Sequence, residues 1–184
     1  MLNLLLALPF AAALAIALAP GASRRTIAWM AAAAPLLGLA LLAGHTPGVM
    51  DGQVPGSSLD WLPQAGLALS LRLDGLAWMF AGLVLGIGAL IVLYASYYLS
   101  EEDSARRFFG YLMLFMGAML GVVLAGNLLL MVVFWELTSI SSFLLIGFWS
   151  HRQDARAGAR MALTITGMGG LALLGGVLLI GRVV

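Results

Sequence analysis

LLLMVVFWELTSISSFLLIGFW, at residues 128–149, is a long apolar stretch that indicates the fold class of this chain. It is as long as the run of about 20 apolar residues that a helix needs to cross a lipid bilayer. It contains a single charged residue, Glu136, with apolar residues on both sides. The stretch therefore predicts a membrane-spanning helix that carries one acidic side chain near its middle.

Five further apolar runs approach the same length. They occupy residues 2–19, 26–43, 75–99, 108–126 and 161–180. The whole chain of 184 residues is 62% hydrophobic and only 9% charged, whereas a soluble domain needs about 25% charged residues to cover its surface. The sequence therefore predicts an all-α, polytopic transmembrane bundle of about six helices, which forms one domain over residues 1–184.

The distribution of arginine predicts the orientation of this bundle. The chain has nine Arg and no Lys, and seven of the Arg fall in the connections that follow the first, third and fifth runs. These seven are Arg24, Arg25, Arg106, Arg107, Arg152, Arg156 and Arg160. The three connections lie on one side of the membrane, and the positive-inside rule makes that side cytoplasmic and both termini external. The first run has no positive charge before it, unlike a signal peptide, so it is predicted to stay as an uncleaved span.

The long connection at residues 44–74 is rich in Gly, Pro, Asp, Ser and Gln, which is typical of a water-facing loop. Near its end, Leu67, Leu69, Leu71 and Leu73 alternate with other residues, and this is the period of a strand. The pattern favours a short hairpin at the membrane surface. Asp74 precedes the third span and is placed to cap its free N–H groups.

Glu136 is the strongest candidate for a functional group. A charged residue at the centre of a spanning helix costs about 2.5–3.5 kcal/mol on insertion scales and usually faces a bundle interior or a wet cavity. Burial favours the neutral form of a carboxyl group, and a nearby cation favours its charged form. Glu136 is therefore predicted to act as a proton relay; the alternative is a protonated side chain that only hydrogen-bonds a neighbouring helix.

Hydroxyl groups accompany Glu136 on the same predicted helix. Ser139 lies at the i+3 position and shares its face, while Thr138 and Ser142 lie nearby. These hydroxyls could hold waters that pass protons, or they could allow close helix packing. His151, at the inner end of the fifth span, could gate proton entry or cap the helix.

Several site classes are excluded or disfavoured. The chain has no Cys and no pair of His within a span, so iron–sulfur, thiolate metal and haem sites are not expected. The glycines at residues 167–170 lie within a span and lack the Lys-Ser/Thr ending of a phosphate loop, so they indicate close helix packing. A net charge of +1 does not suggest a nucleic-acid partner. We expect no cofactor and no bound metal.

Two parts of the chain resemble a known family. RFFGYL at residues 107–112, NLLL at 127–130 and FWELTSISSFLLIGFW at 134–149 resemble the A subunit of Mrp-type multisubunit sodium/proton antiporters. The stretch from LDGL at residues 73–76 to YYL at 97–99 resembles the opening of the antiporter-like module shared with the large membrane subunits of respiratory complex I. The likeness is close over residues 73–170, and over the first seventy residues only the hydrophobic pattern agrees.

The resemblance implies a component of a secondary transporter rather than an enzyme, in the inner membrane of a prokaryote, which exchanges Na⁺ for H⁺. It implies that Glu136 belongs to the transport path and pairs with a Lys on the next helix. Since this chain has no Lys, that helix is expected beyond Val184 or in another chain, and the sequence resembles the first six helices of a longer protein. The implied partners are the other antiporter subunits and lipid.

Two alternatives remain open at this point. The chain could belong to a redox-driven proton pump such as complex I or a membrane hydrogenase, in which Glu136 would have the same chemistry. It could also be a scaffold that orders neighbouring subunits without carrying ions, in which case Glu136 would be a packing residue.

Overall fold

The computed structural model describes residues 1–62 and 67–183. Within these ranges the chain forms six helices and one two-stranded antiparallel sheet. The helices are α1 (Leu2–Ala17), α2 (Arg24–Met50), α3 (Gly75–Tyr98), α4 (Ala105–Leu124), α5 (Leu128–Ile146) and α6 (Gln153–Val183). The strands are β1 (Gly56–Leu62) and β2 (Leu67–Arg72). The predicted polytopic helical bundle is confirmed.

The helices α2 to α6 are each long and apolar enough to cross a membrane by length and composition. The first helix is shorter, since its 16 residues extend for about 24 Å at 1.5 Å per residue. It packs mainly against α4 and α2, and it buries Leu2 at one end and Ile16 at the other. α1 therefore packs against the other helices along its whole length.

Two predicted boundaries are wrong. The connection predicted at residues 44–74 begins only after α2, which continues to Met50 through Pro47. The continuation is stabilised where Thr46 accepts a hydrogen bond from the Trp78 indole on α3 at 3.2 Å, and Val49 is buried. α6 begins at Gln153, eight residues before the predicted span at 161. Hydropathy detects only the part of a helix that matches lipid, and the first turns of α6 are polar and exposed.

Short polar side chains start four of the helices. Each accepts a hydrogen bond from a backbone N–H in the first turn, which satisfies one of the free donors of a helix N-terminus. The four caps are Ser23, Asp74, Ser104 and Asn127. The cap predicted at Asp74 is confirmed, with the Ala77 N–H at 2.8 Å from its carboxylate.

The predicted hairpin is also confirmed. β1 pairs with β2 from Gly56 opposite Arg72 to Leu62 opposite Leu67. Neighbouring side chains of β2 face opposite sides, as expected for a strand: Leu71 is buried and Arg72 is exposed. The hairpin is held to the bundle at the turn between α4 and α5, where the Gly126 N–H donates to the Ser70 carbonyl at 2.7 Å and the Asn127 amide donates to the Ala68 carbonyl at 2.9 Å.

The arginine-bearing connections gather at the opposite end of the bundle, which we call the basic end (residues 18–25, 99–107 and 147–152). Arg24 donates to the backbone carbonyls of Leu99 and Ser100, and Arg106 donates to the carbonyl of Ala17 at 3.5 Å. The Trp149 indole donates to Asp103 at 2.9 Å. These contacts join three connections at one end, as the hydropathy and charge pattern requires.

Candidate functional site

Glu136 lies near the middle of α5, and its side chain is directed at α6. A Cβ atom placed on Gly170 of α6 would overlap Oε1 of Glu136 and lie 2.6 Å from its carboxyl carbon. Oε1 is buried and has no hydrogen-bond partner among the described residues. The structure thus places a carboxylate at mid-helix depth, between two helices, with one oxygen free to accept a proton or a donor.

The α5–α6 pair is an antiparallel hairpin that brings residues equidistant from its turn together. A Cβ on Gly147 would lie 3.4 Å from Ala159 Cβ, and one on Gly158 would lie 3.7 Å from Ile146. Gly170 is opposite Glu136 by the same rule. The sequence indicates only helix packing for the glycines at residues 167–170. This pairing could not be predicted, because sequence patterns do not place the turn between the two spans to the residue.

Helix α5 is fixed against α4 two residues before Glu136, at Phe134. The Phe134 ring lies over Gly121, where a Cβ atom would come within 2.6 Å of its Cδ2. Phe10 of α1 lies over Gly117 in the same way, and the centroids of the Phe10 and Phe134 rings are 6.5 Å apart. Two aromatic rings therefore set the position of α5 just ahead of Glu136.

The predicted hydroxyl residues lie along α5 and donate to its own backbone. Thr138 and Ser139 donate to the Trp135 carbonyl at 2.6 and 3.3 Å. Ser139 is buried and Ser142 is half-buried. Since the described hydroxyl contacts go to carbonyls, none of them satisfies Glu136 Oε1; their role in holding water stays a prediction.

His151 lies in the turn between α5 and α6 and is exposed, rather than at the end of the fifth helix. It lines a surface cleft at the basic end together with Glu102 and Arg107. Glu136 is ten residues before the last residue of α5, Ile146, which corresponds to about 15 Å of helix. The structure therefore does not bring His151 and Glu136 together.

Asp103 joins two connections at the basic end. Its carboxylate accepts hydrogen bonds from the Ser100 N–H at 3.1 Å, the Ser100 hydroxyl at 2.9 Å and the Trp149 indole at 2.9 Å. Burial acts to raise the pKa of Asp103, but the hydrogen bonds from Ser100 and Trp149 and the charge of Arg24 outweigh it, so the pKa lies below its ordinary value of 3.8. These hydrogen bonds link the two connections and favour the ionised form of Asp103.

The lowered pKa of Asp103 predicts how the hydrogen bonds to its carboxylate depend on pH. Because the folded pKa is below the unfolded value of 3.8, the stabilisation is present above that value and is lost as the pH falls through the folded pKa. Hydrogen exchange of the Ser100 amide should therefore be constant between neutral pH and about pH 5, after correction for intrinsic exchange. Below that range, exchange in the native protein should become faster as Asp103 is protonated. In Asp103→Asn, exchange of the Ser100 amide should already be faster at neutral pH and should show no further acceleration at acid pH. Identical protection in the two proteins would contradict the assignment.

Comparisons with known proteins show what this chain is similar to. A family model described as NADH:quinone oxidoreductase/Mrp antiporter, TM, matches residues 125–183, which include Glu136 and Gly170. A second model, described as the N-terminus of NADH-ubiquinone oxidoreductase (complex I) chain 5, matches residues 61–109. A probable K⁺/H⁺ antiporter A/B subunit of Rhizobium meliloti is 51% identical over all 184 residues. Over residues 61–109 and 125–183, the chain therefore matches the antiporter-like membrane subunits of Mrp antiporters and complex I.

Two further proteins are also similar to this chain. The Na⁺/H⁺ antiporter A1 subunit of Staphylococcus aureus is 45% identical over 154 residues, which cover 84% of this chain and 19% of that protein. A chain in the structure of the Mrp complex from Dietzia sp. DQ12-45-1b has a TM-score of 0.77 and 34% identity, over 95% of this chain and 18% of that one. The Rhizobium relative is likewise covered over 18% of its length. This antiporter-like chain thus spans about a fifth of the curated relatives that it matches.

A more distant structure shares the fold alone. A chain of the membrane-bound sulfane sulfur reductase, an archaeal respiratory membrane complex, has a TM-score of 0.78 at 19% identity over 93% of this chain. The antiporter-like fold is therefore found in both antiporter and respiratory complexes. The resemblance to the Mrp A subunit that the sequence suggested is confirmed, and the chain is a multi-pass membrane protein.

Proposed function

We propose that this chain is part of the A subunit of an Mrp-type antiporter that exchanges a monovalent cation for protons, and that Glu136 relays protons in it. The observation that carries the proposal is the buried Oε1 of Glu136, which has no hydrogen-bond partner among the described residues. A carboxylate is costly at this depth, and one with a free acceptor atom can take up and release a proton. The names of the Rhizobium and Staphylococcus relatives support antiport.

The relay needs a cation that approaches and leaves Glu136. Within the described residues the ion pairs are Arg72–Asp74 and Arg152–Asp154, and neither includes Glu136. This supports a partner cation from outside the chain, and we propose a Lys on a helix beyond Val184 or in another subunit. Approach of that cation would favour the ionised carboxylate, and its departure would favour the protonated form. Thr138, Ser139 and Ser142 would hold water along the path.

The setting of the site follows from the charge distribution. We propose that the basic end faces the cytoplasm of a prokaryote, that the N-terminus and the β1–β2 hairpin face outward, and that the membrane is the inner one. His151 would then lie at the cytoplasmic mouth of the proton path. The remaining subunits of the antiporter complex and lipid would cover the exposed apolar faces of α3 and α6, which include Leu90 and Leu171.

The ion can be identified in inverted membrane vesicles that contain the complete complex, by recording the pH change after addition of Na⁺ or K⁺. We expect a response to Na⁺ that exceeds the response to K⁺. A larger response to K⁺ would assign K⁺ as the transported ion, as the name of the Rhizobium relative suggests. A pH change that follows only an electron donor, with flavin or iron–sulfur subunits in the purified complex, would replace antiport with a redox-driven pump.

A further inference from the structure

Among the described glycines of α6, Gly170 differs in the atoms that lie where a side chain would begin. Gly167, Gly169, Gly175 and Gly176 have nothing within 4 Å of the place where a Cβ would lie. At Gly170 that place is occupied by the Glu136 carboxylate. Gly170 is buried, while its neighbours Gly169 and Leu171 are exposed. The missing side chain at position 170 therefore makes the space that Oε1 fills.

The carboxylate end of Glu136 is the part of the side chain that responds to this space. The position of the carboxylate depends on three rotatable bonds. The three atoms nearest to a Cβ on Gly170 would all belong to it: Oε1, the carboxyl carbon and, at 3.4 Å, Oε2. The backbone of α5 is held independently by Phe134 over Gly121. A methyl group at position 170 would therefore turn the carboxylate away and leave the two helices in place, since a flexible side chain moves more easily than packed backbone.

We infer that Gly170 is a positioning residue for Glu136: it holds the carboxylate in the α5–α6 interface by providing a site without a side chain. The inference rests on the proposed function of Glu136, because a position matters for transport only if the group transfers protons. Proton transfer requires heavy-atom distances of about 2.6–3.2 Å, and a misplacement of about 1 Å can reduce a rate about 100-fold.

The primary test is Gly170→Ala in the full-length protein within its complex, in inverted vesicles. We expect antiport to fall by about 10- to 100-fold, while the complex purifies intact. The matched control is Gly169→Ala, which makes the same change in helix propensity one residue away and meets no atom within 4 Å. That control should transport at the native rate.

A rescue separates positioning of the carboxylate from a general effect on helix packing. Glu136→Asp shortens the side chain by one methylene and leaves room for a methyl group at position 170. Gly170→Ala should therefore cause no further loss of transport in the Glu136→Asp background. An equal loss in both backgrounds would overturn the inference, because crowding of the helices would then act without the carboxylate.

A second readout is independent of transport. The rate at which a membrane-permeant carbodiimide modifies Glu136, followed by mass spectrometry, reports how accessible the carboxylate is. This rate should rise severalfold in Gly170→Ala and stay at the native value in Gly169→Ala. An unchanged rate in Gly170→Ala would overturn the inference even if transport fell. If Glu136→Gln transports normally, the relay proposal fails, and the modification rate alone decides whether Gly170 positions the carboxylate.

Discussion

Glu136→Gln is expected to reduce cation/proton antiport by about 100-fold or more, because a general acid–base group contributes about 10²–10⁴ to a rate. Glutamine has nearly the same shape as glutamate, so it fits the same space beside Gly170, but it cannot take up or release a proton at neutral pH. The amide group carries no charge, so its burial costs less than burial of an ionised carboxylate. Transport should therefore be lost while the complex assembles normally.

The measurement is the Na⁺- or K⁺-driven pH change in inverted vesicles, with copurification of the other subunits as the check on assembly. Asp154→Asn is the matched control, since it also replaces one acidic group by its amide. Asp154 is exposed at the start of α6 and lies 3.8 Å from Arg152, so its replacement should leave antiport at the native rate. Normal antiport in Glu136→Gln would remove the relay role. A complex that falls apart would favour the scaffold function instead.

Gly121→Ala is expected to have the largest effect on the stability of the bundle. The added methyl group would overlap the Phe134 ring, which is a rigid group held between α4 and α1. Unlike the carboxylate beside Gly170, this ring cannot move aside without repacking against Phe10. Overpacking of this kind costs about 1–3 kcal/mol, and the gain of about 1 kcal/mol in helix propensity leaves a net loss of stability of up to about 2 kcal/mol.

The measurement is the loss of folded, detergent-solubilised complex with temperature, recorded for native protein and variants at the same detergent concentration. Gly110→Ala is the matched control, because it lies on the same helix and its Cβ would meet no atom within 4 Å. We expect Gly110→Ala to melt at or above the native temperature and Gly121→Ala to melt below it. Equal melting of the two variants would show that the Phe134 contact does not hold α5 on α4.

The candidate site shows where reasoning from the sequence stops. Glu136 could be selected from the sequence because it is an isolated acidic residue in the middle of an apolar run, and that anomaly needs no tertiary information. Gly170 could not be selected, since it is one of several glycines in α6 and only the register of two helices distinguishes it. The register depends on where the turn between α5 and α6 lies, and sequence patterns place such boundaries to within a few residues.

The same division holds for the chain as a whole. The number and order of the helices and the separation of the basic end could be predicted from the sequence, because they follow from the transfer of side chains between water and lipid. The hairpin could be predicted because its leucines alternate with the period of a strand. Three features are visible only in the folded protein: how far α2 and α6 extend beyond the lipid-matching runs, which residues of α4 contact the rings of Phe10 and Phe134, and what surrounds the carboxylate of Glu136. Those features depend on the fit between helix surfaces, and hydropathy along a single chain contains no information about that fit.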